Sequence, residues 1–129
     1  MLQAINILDQ FFEKHKLSVD FIKRFIFPGS FIPSISAINS SIARATDLKL
    51  VHLEDITPHY ARTLREWRRR FFANIDQVRK LGFSESFIRM WEYYLCYCEG
   101  GFTERYIGDV QALFAKPLSR PDPLLGDFH

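Results

Sequence analysis

Cysteine, glycine motifs, metal-ligand spacings and long apolar runs are all scarce in this chain, and each shortage removes a class of function. The two cysteines, Cys96 and Cys98, stand two residues apart. Side chains at i and i+2 of a helix diverge, so they form neither a mutual disulfide nor a Cys-x-x-Cys pair. Reduced thiols fit a cytoplasmic protein. The four histidines, His15, His52, His59 and His129, share no metal-ligand spacing, and no metal is predicted. The six glycines, Gly29, Gly82, Gly100, Gly101, Gly108 and Gly126, include no G-x-G after a strand, the turn that cradles a nucleotide cofactor. No apolar run nears the roughly 18 residues of a membrane span. The start MLQAINILDQ lacks the basic region and small-residue cleavage site of a signal peptide. A net charge of +2 leaves any basic effect local and argues against nucleic-acid binding.

What is abundant is aromatic surface. Thirteen phenylalanines in 129 residues, within a chain 47% hydrophobic and 25% charged, describe one soluble globular domain. Its surplus of rings either overfills a core or walls an apolar cavity.

Hydrophobic periodicity divides the chain. Leu2 to Leu8 reads as a short buried strand ended by Asp9, followed by a loop and then a helix to Phe27 carrying Leu17, Phe21 and Phe25 at helical spacing. Pro28-Gly29 and Pro33-Ser34 fix a constrained loop. Ser34 caps a helix running to Ala45 with Ile35, Ile38 and Ile42 on one stripe. Leu48 to Glu54 alternates as a strand covered on both sides. Thr57-Pro58 reads as an N-cap with proline at the first helical position. A long helix then buries Tyr60, Leu64, Trp67, Phe71, Ile75 and Val78 and closes at Gly82. Ser84 opens the next helix, with Glu85 and Arg89 paired at i, i+4, Gly100-Gly101 as a point of interruption and Gly108 as its end. Asp109 to Lys116 makes the final strand. Residues 118–129 form a proline-rich tail, extended or disordered, after a domain over residues 1–117. Strand, helices, strand, two long helices, strand is the order expected for the last three strands of a doubly wound α/β sheet.

Three blocks sharpen this reading: FIKRFIFPGSFIPS from Phe21, HYARTLREW from His59 and FIRMWEYYLCYCEGGFTERYIGDVQ from Phe87. Together they resemble the C-terminal part of the cyclopropane-fatty-acyl-phospholipid synthase family, S-adenosylmethionine-dependent methyltransferases, over about Leu2 to Pro117. The resemblance implies the C-terminal part of a Rossmann-like class I methyltransferase fold. Its three-stranded mixed sheet has the last strand antiparallel between the other two. Family members bind S-adenosylmethionine through strands and a Gly-rich turn that lie upstream of everything present here. The expectation is therefore that the cofactor site is not in this chain, which is inactive without a separate N-terminal cofactor-binding piece.

The family's reaction moves a methyl group to a cis double bond of a phospholipid acyl chain and then removes a proton so that the ring closes. Such chemistry needs a dry slot and aromatic faces that tolerate positive charge. The resemblance implies a bound bicarbonate as base, held by a tyrosine matching Tyr60 and by a histidine and a backbone N–H that match Gln3 and Ile5. Gln3 departs from that histidine: an amide donates a hydrogen bond but takes up no proton, which counts against bicarbonate and ring formation and toward simple methyl transfer. Ser30 stands where many members have glycine. Phe27, Pro28, Gly29, Ile32 and Tyr94 are the positions expected to bind the lipid.

Two other readings compete. Arg62, Arg65, Arg68, Arg69 and Arg70, interleaved with Trp67 and Phe71, would suit a basic module on nucleic acid or an anionic membrane. Successive helical positions diverge by about 100 degrees, however, and spread these charges. The apolar slot would also suit a non-catalytic acyl-chain binder. A lipid-modifying chain is expected in the cytoplasm, peripheral at the inner membrane face. A chain starting inside a strand leaves an unpaired edge that invites dimerisation or aggregation.

Overall fold

A computed structural model describes residues 1–120; residues 121–129, which hold most of the predicted tail, lie outside the described part. Three strands, β1 (Leu2–Ile7), β2 (Lys49–Asp55) and β3 (Ile107–Ala115), form one sheet in the order β1-β3-β2. β3 runs antiparallel to both neighbours. The last strand in sequence thus inserts between the first two, the arrangement expected from the resemblance.

The strands alternate as their sequence dictates, with one exception. Opposite β3, Leu50 pairs with Phe114 and Leu53 with Ala112, and a bulge lies between Leu50 and His52. The extra residue brings Leu50 and Leu53, three apart, onto one face. Val51 is left 40% exposed. β2 is therefore not the doubly covered strand its apolar run predicts.

Helix α1 (Asp9–Leu17) begins directly at Asp9, where the pattern predicts a loop. It is acidic at its first turn and basic at its last, matching the helix dipole. The predicted helix to Phe27 is only a π-helical turn over Ile22–Ile26. Helix α2 (Ile35–Ala45) starts as predicted, with the Ser34 hydroxyl accepting from the Ala37 N–H at 3.2 Å.

The long helix after β2 is two helices, α3 (Thr57–Ala73) and α4 (Ile75–Lys80). The break falls at Asn74, whose side chain donates to the Arg70 carbonyl at 2.8 Å and so competes with the backbone ladder. Pro58 occupies the first turn as predicted. Thr57 does not cap with its side chain: its hydroxyl donates to Asp55 and accepts from the Asp109 N–H.

Helix α5 (Glu85–Thr103) is capped by Ser84, accepting from the Phe87 N–H. It runs through Gly100-Gly101 without interruption, and Gly108 lies in β3 instead of ending it. Glu85 pairs with Arg79 at 2.7 Å, not with Arg89, because the end of α4 lies across the turn.

Helices α3 and α5 pack against each other over the sheet. Ala61, Leu64, Leu95 and Phe102 form the buried cluster, with Ile5 and Ile107 packed on it from the strands. Each fully buried large side chain there contributes roughly 1.5–3 kcal/mol. Trp67, assigned by periodicity to the buried stripe, is 46% exposed at its margin.

A candidate acyl-chain cavity

Between the core cluster and the segment after α1 lies a cavity of about 660 Å³. Strand β1 contributes Ile5 and Ile7, α3 contributes Tyr60 and Leu64, and α5 contributes Tyr94, Tyr97, Cys98 and Phe102. The segment between α1 and α2 supplies the fourth wall with Ile22, Phe27, Phe31 and Ile32. The charged side chains in its lining are Lys14, Asp20, Lys23 and Glu104, of which Lys14 and Glu104 are exposed to solvent. An apolar body with a charged rim suits a long alkyl chain that carries a polar head.

The fourth wall depends on local chemistry. Phe27-Pro28-Gly29-Ser30 turns back on itself, with the Ser30 N–H on the Phe27 carbonyl at 3.1 Å and Gly29 at φ 80°. Proline then glycine at the two central positions is the requirement of a type II turn. Pro28 and Gly29 therefore do not line the cavity themselves; they aim Phe27, whose ring meets Tyr94 edge-on at 6.1 Å. His15, which sequence reasoning passed over for want of a metal partner, fastens this wall. Its Nε2 accepts from the Ile32 N–H at 3.2 Å. Burial, then the nearby Lys23, pulls its pKa below the ordinary value, against the opposing pull of Asp20. Lys23 in turn donates to the carbonyls of His15 and Ser18.

The polar groups on the wall are held neutral. Burial pushes the Tyr94 phenol up to about 12 and the Cys98 thiol up to about 11. The Tyr60 phenol is raised by burial and then by the charge of Asp109. These groups present rings and hydrogen-bond donors, not anions, to the cavity. Tyr60 packs on Phe102 at 4.7 Å and Tyr94 on Trp91 at 5.0 Å.

Five of the eight sequence-predicted positions, Ile5, Phe27, Ile32, Tyr60 and Tyr94, thus meet on one cavity. Gln3 is engaged elsewhere. Its Nε2 donates to Asp109 Oδ2 at 2.7 Å and its Oε1 accepts from Gln111 at 3.4 Å. Asp109 opens the last strand of the sequence pattern, in which nothing marks it as buried.

A Cβ at Gly101 would meet Ile107 at 3.2 Å, and one at Gly108 would meet Thr57 at 3.1 Å and Asn6 at 3.2 Å, so protein side chains already fill that space. Gly29, Gly82 and Gly100 face open space. The arginines of α3 are largely spoken for. Arg65 and Arg68 reach Glu99 on α5, and Arg69 pairs with Glu66.

Comparison with known proteins agrees with this geometry. The family described as mycolic acid cyclopropane synthetase matches residues 1–112. Tuberculostearic acid methyltransferase UfaA1 of Mycobacterium tuberculosis is 46% identical over 90 residues, covering 70% of this chain and 21% of its own. Cyclopropane-fatty-acyl-phospholipid synthase of Escherichia coli is 34% identical over 108 residues, covering 81% of this chain and 27% of its own. The chain thus spans about a fifth to a quarter of the length of these relatives. Among solved structures, mycolic acid cyclopropane synthase CmaA1 complexed with SAH and CTAB superposes with a TM-score of 0.72 at 29% identity, covering 87% of this chain and 42% of that one. Cyclopropane synthase MmaA2 of Mycobacterium tuberculosis gives 0.75 at 28% identity, covering 88% and 42%.

Proposed function

Because the chain belongs to the mycolic acid cyclopropane synthetase family, S-adenosylmethionine-dependent methyltransferases and cyclopropane synthases that act on lipids, we propose that it forms the lipid side of such an enzyme. It would hold an unsaturated phospholipid acyl chain while a methyl group is transferred to it. The observation that carries this reading is the apolar cavity on which Ile5, Phe27, Ile32, Tyr60 and Tyr94 converge.

In this reading S-adenosylmethionine supplies the methyl group, and these residues do not hold it; the lack of a G-x-G turn after a strand supports that. The chain's own part is to exclude water and align the double bond against aromatic faces. Ring faces tolerate the positive charge that develops when an alkene gains a methyl. The donors of Tyr60 and Tyr94 stay protonated throughout, as their raised pKa values require.

Bicarbonate is not held here, and the product is a methyl-branched alkene, not a ring: the positive charge left by methyl addition is discharged by loss of a proton from a neighbouring carbon to solvent, which keeps one double bond. This is supported by Gln3, whose amide is turned onto Asp109, and by the negative charge of Asp109 beside it. The chain works at the cytoplasmic face of a membrane as a peripheral protein. Among the described residues no helix is long and apolar enough to cross one.

A titration with two ligands tests the proposal. A fluorescent cis-unsaturated fatty acid should bind and be lost on changing Ile32 to Glu, while S-adenosylmethionine should give no heat. Micromolar affinity for S-adenosylmethionine, or fatty-acid binding indifferent to Ile32→Glu, would overturn it.

A further inference from the structure

Asp109 has no exposure to solvent. It lies directly across from Ile5 in the β1–β3 register. Directly opposed residues of an antiparallel pair project from the same face, so its carboxyl group stands on the cavity side of the sheet. Oδ2 accepts from Gln3, and Oδ1 has no hydrogen-bond partner among the described residues. Its backbone is pinned at both polar groups: the N–H donates to the Thr57 hydroxyl at 3.0 Å, and the carbonyl accepts from the Ile56 N–H at 2.9 Å. From α3, Tyr60 feels its charge. Burial raises its carboxyl pKa above the ordinary value, the Gln3 hydrogen bond works against that rise, and from β2 Asp55 adds to it, though Asp55 is occupied by Arg105 at 3.0 Å and by Thr57.

A buried carboxylate with one idle oxygen costs stability, and nothing in the packing of the sheet requires it. Its place suggests a use. When the electron pair of a double bond forms the new carbon–carbon bond to a methyl group, positive charge develops on the neighbouring carbon of the alkyl chain. A fixed negative charge behind the lining of a water-poor site favours that charge without reorganising. We propose that Asp109 is a positioning residue that sets the charge preference of the acyl cavity. It acts through Gln3, Ile5 and Tyr60 and not by contact, and it makes the Tyr60 end of the slot favour a cationic occupant over an anionic one. The inference rests on the reading of this cavity as an acyl-chain site.

The test uses the chain as it stands and needs no catalysis. Hexadecanol, hexadecyltrimethylammonium and hexadecanoate, each below its micellar concentration, compete with a fluorescent acyl probe. The ammonium should bind more tightly than the alcohol, and the carboxylate more weakly, each by roughly tenfold, the scale of one charge felt across a few ångströms of protein. Asp109→Asn keeps an acceptor for Gln3 and should abolish the ranking while leaving hexadecanol affinity unchanged. Asp76→Asn, an exposed carboxylate on α4 outside the cavity lining, should preserve it. Should Asp109→Asn fail to fold, Gln3→Lys brings an ammonium to the same carboxylate from an exposed position and should abolish the ranking too. A ranking that survives at Asp109→Asn, or that vanishes at Asp76→Asn, overturns the inference alone. Failure of hexadecanol to displace the probe overturns the acyl-chain reading, and the inference falls with it.

Discussion

His15 shows how one side chain can hold a wall of the cavity. As a neutral imidazole its Nε2 accepts the Ile32 N–H; once protonated, both ring nitrogens are donors and that bond is lost. Its folded pKa is depressed, chiefly by burial. The stability it contributes is therefore fully present above the ordinary histidine value of about 6.5 and is lost as pH falls through the lower folded value. Urea unfolding should show the wild-type chain losing stability across that window. His15→Gln, whose amide oxygen can still accept, should flatten that loss, and an unchanged slope in the variant would remove His15 from the account. Tyr60 and Tyr94 behave oppositely: with both phenols raised, Tyr94 to about 12, neither changes charge near neutrality. Near neutrality acyl binding therefore takes its pH dependence from the wall that His15 holds, not from the aromatic lining.

At the level of elements, the segment between α1 and α2 joins regular pieces through irregular ones. A π-helical turn ends with the Phe27 N–H on the Ile22 carbonyl at 2.8 Å, and the type II turn at Pro28-Gly29 follows at once. Such π turns are frequent at functional sites, and here the turn delivers Ile22 and Phe27 to the same cavity. Gly29 at φ 80° has open space around it, so an alanine there meets no clash, only the left-handed backbone penalty of about 1–2 kcal/mol. Gly29→Ala should lower the unfolding free energy by that amount and weaken fatty-acid binding, because Phe27 moves with the turn. A stability loss with binding untouched would show that the turn does not position Phe27. In the core the balance differs. Leu95, 2% exposed between α3 and the sheet, should cost about 3 kcal/mol on truncation to alanine, read from the same denaturation curves.

For the molecule as a whole, the sheet order places both β1 and β2 at edges. The outer side of β1 is met only at its end, where the Ile7 N–H donates to the Pro33 carbonyl at 3.0 Å. From Leu2 to Asn6 no strand of the described residues covers it. An uncovered strand edge templates pairing with another chain. The 129-residue chain should therefore self-associate with rising concentration in light scattering, and Leu2→Lys, at a position 39% exposed, should shift it toward monomer. A wild-type chain that stays monomeric at high concentration would argue against edge pairing.

The sequence by itself determined the three strands and the helices capped by Ser34 and Ser84, and the resemblance singled out Ile5, Phe27, Ile32, Tyr60 and Tyr94, which line one cavity. These follow from periodicity, caps and turn chemistry, which act within a few residues, and from blocks whose order the family match over residues 1–112 upholds. Only the tertiary structure decided what depends on neighbours distant in the chain. The β2 bulge arises from register against β3, and the partner of Glu85 from the path of α4. Asp109 is buried because β3 threads between β1 and β2, and the Gln3 amide turns away because that carboxylate lies 106 positions along the chain yet 2.7 Å away. A local pattern fixes which face a residue takes; the charge that awaits it there is set by the packing of the whole chain.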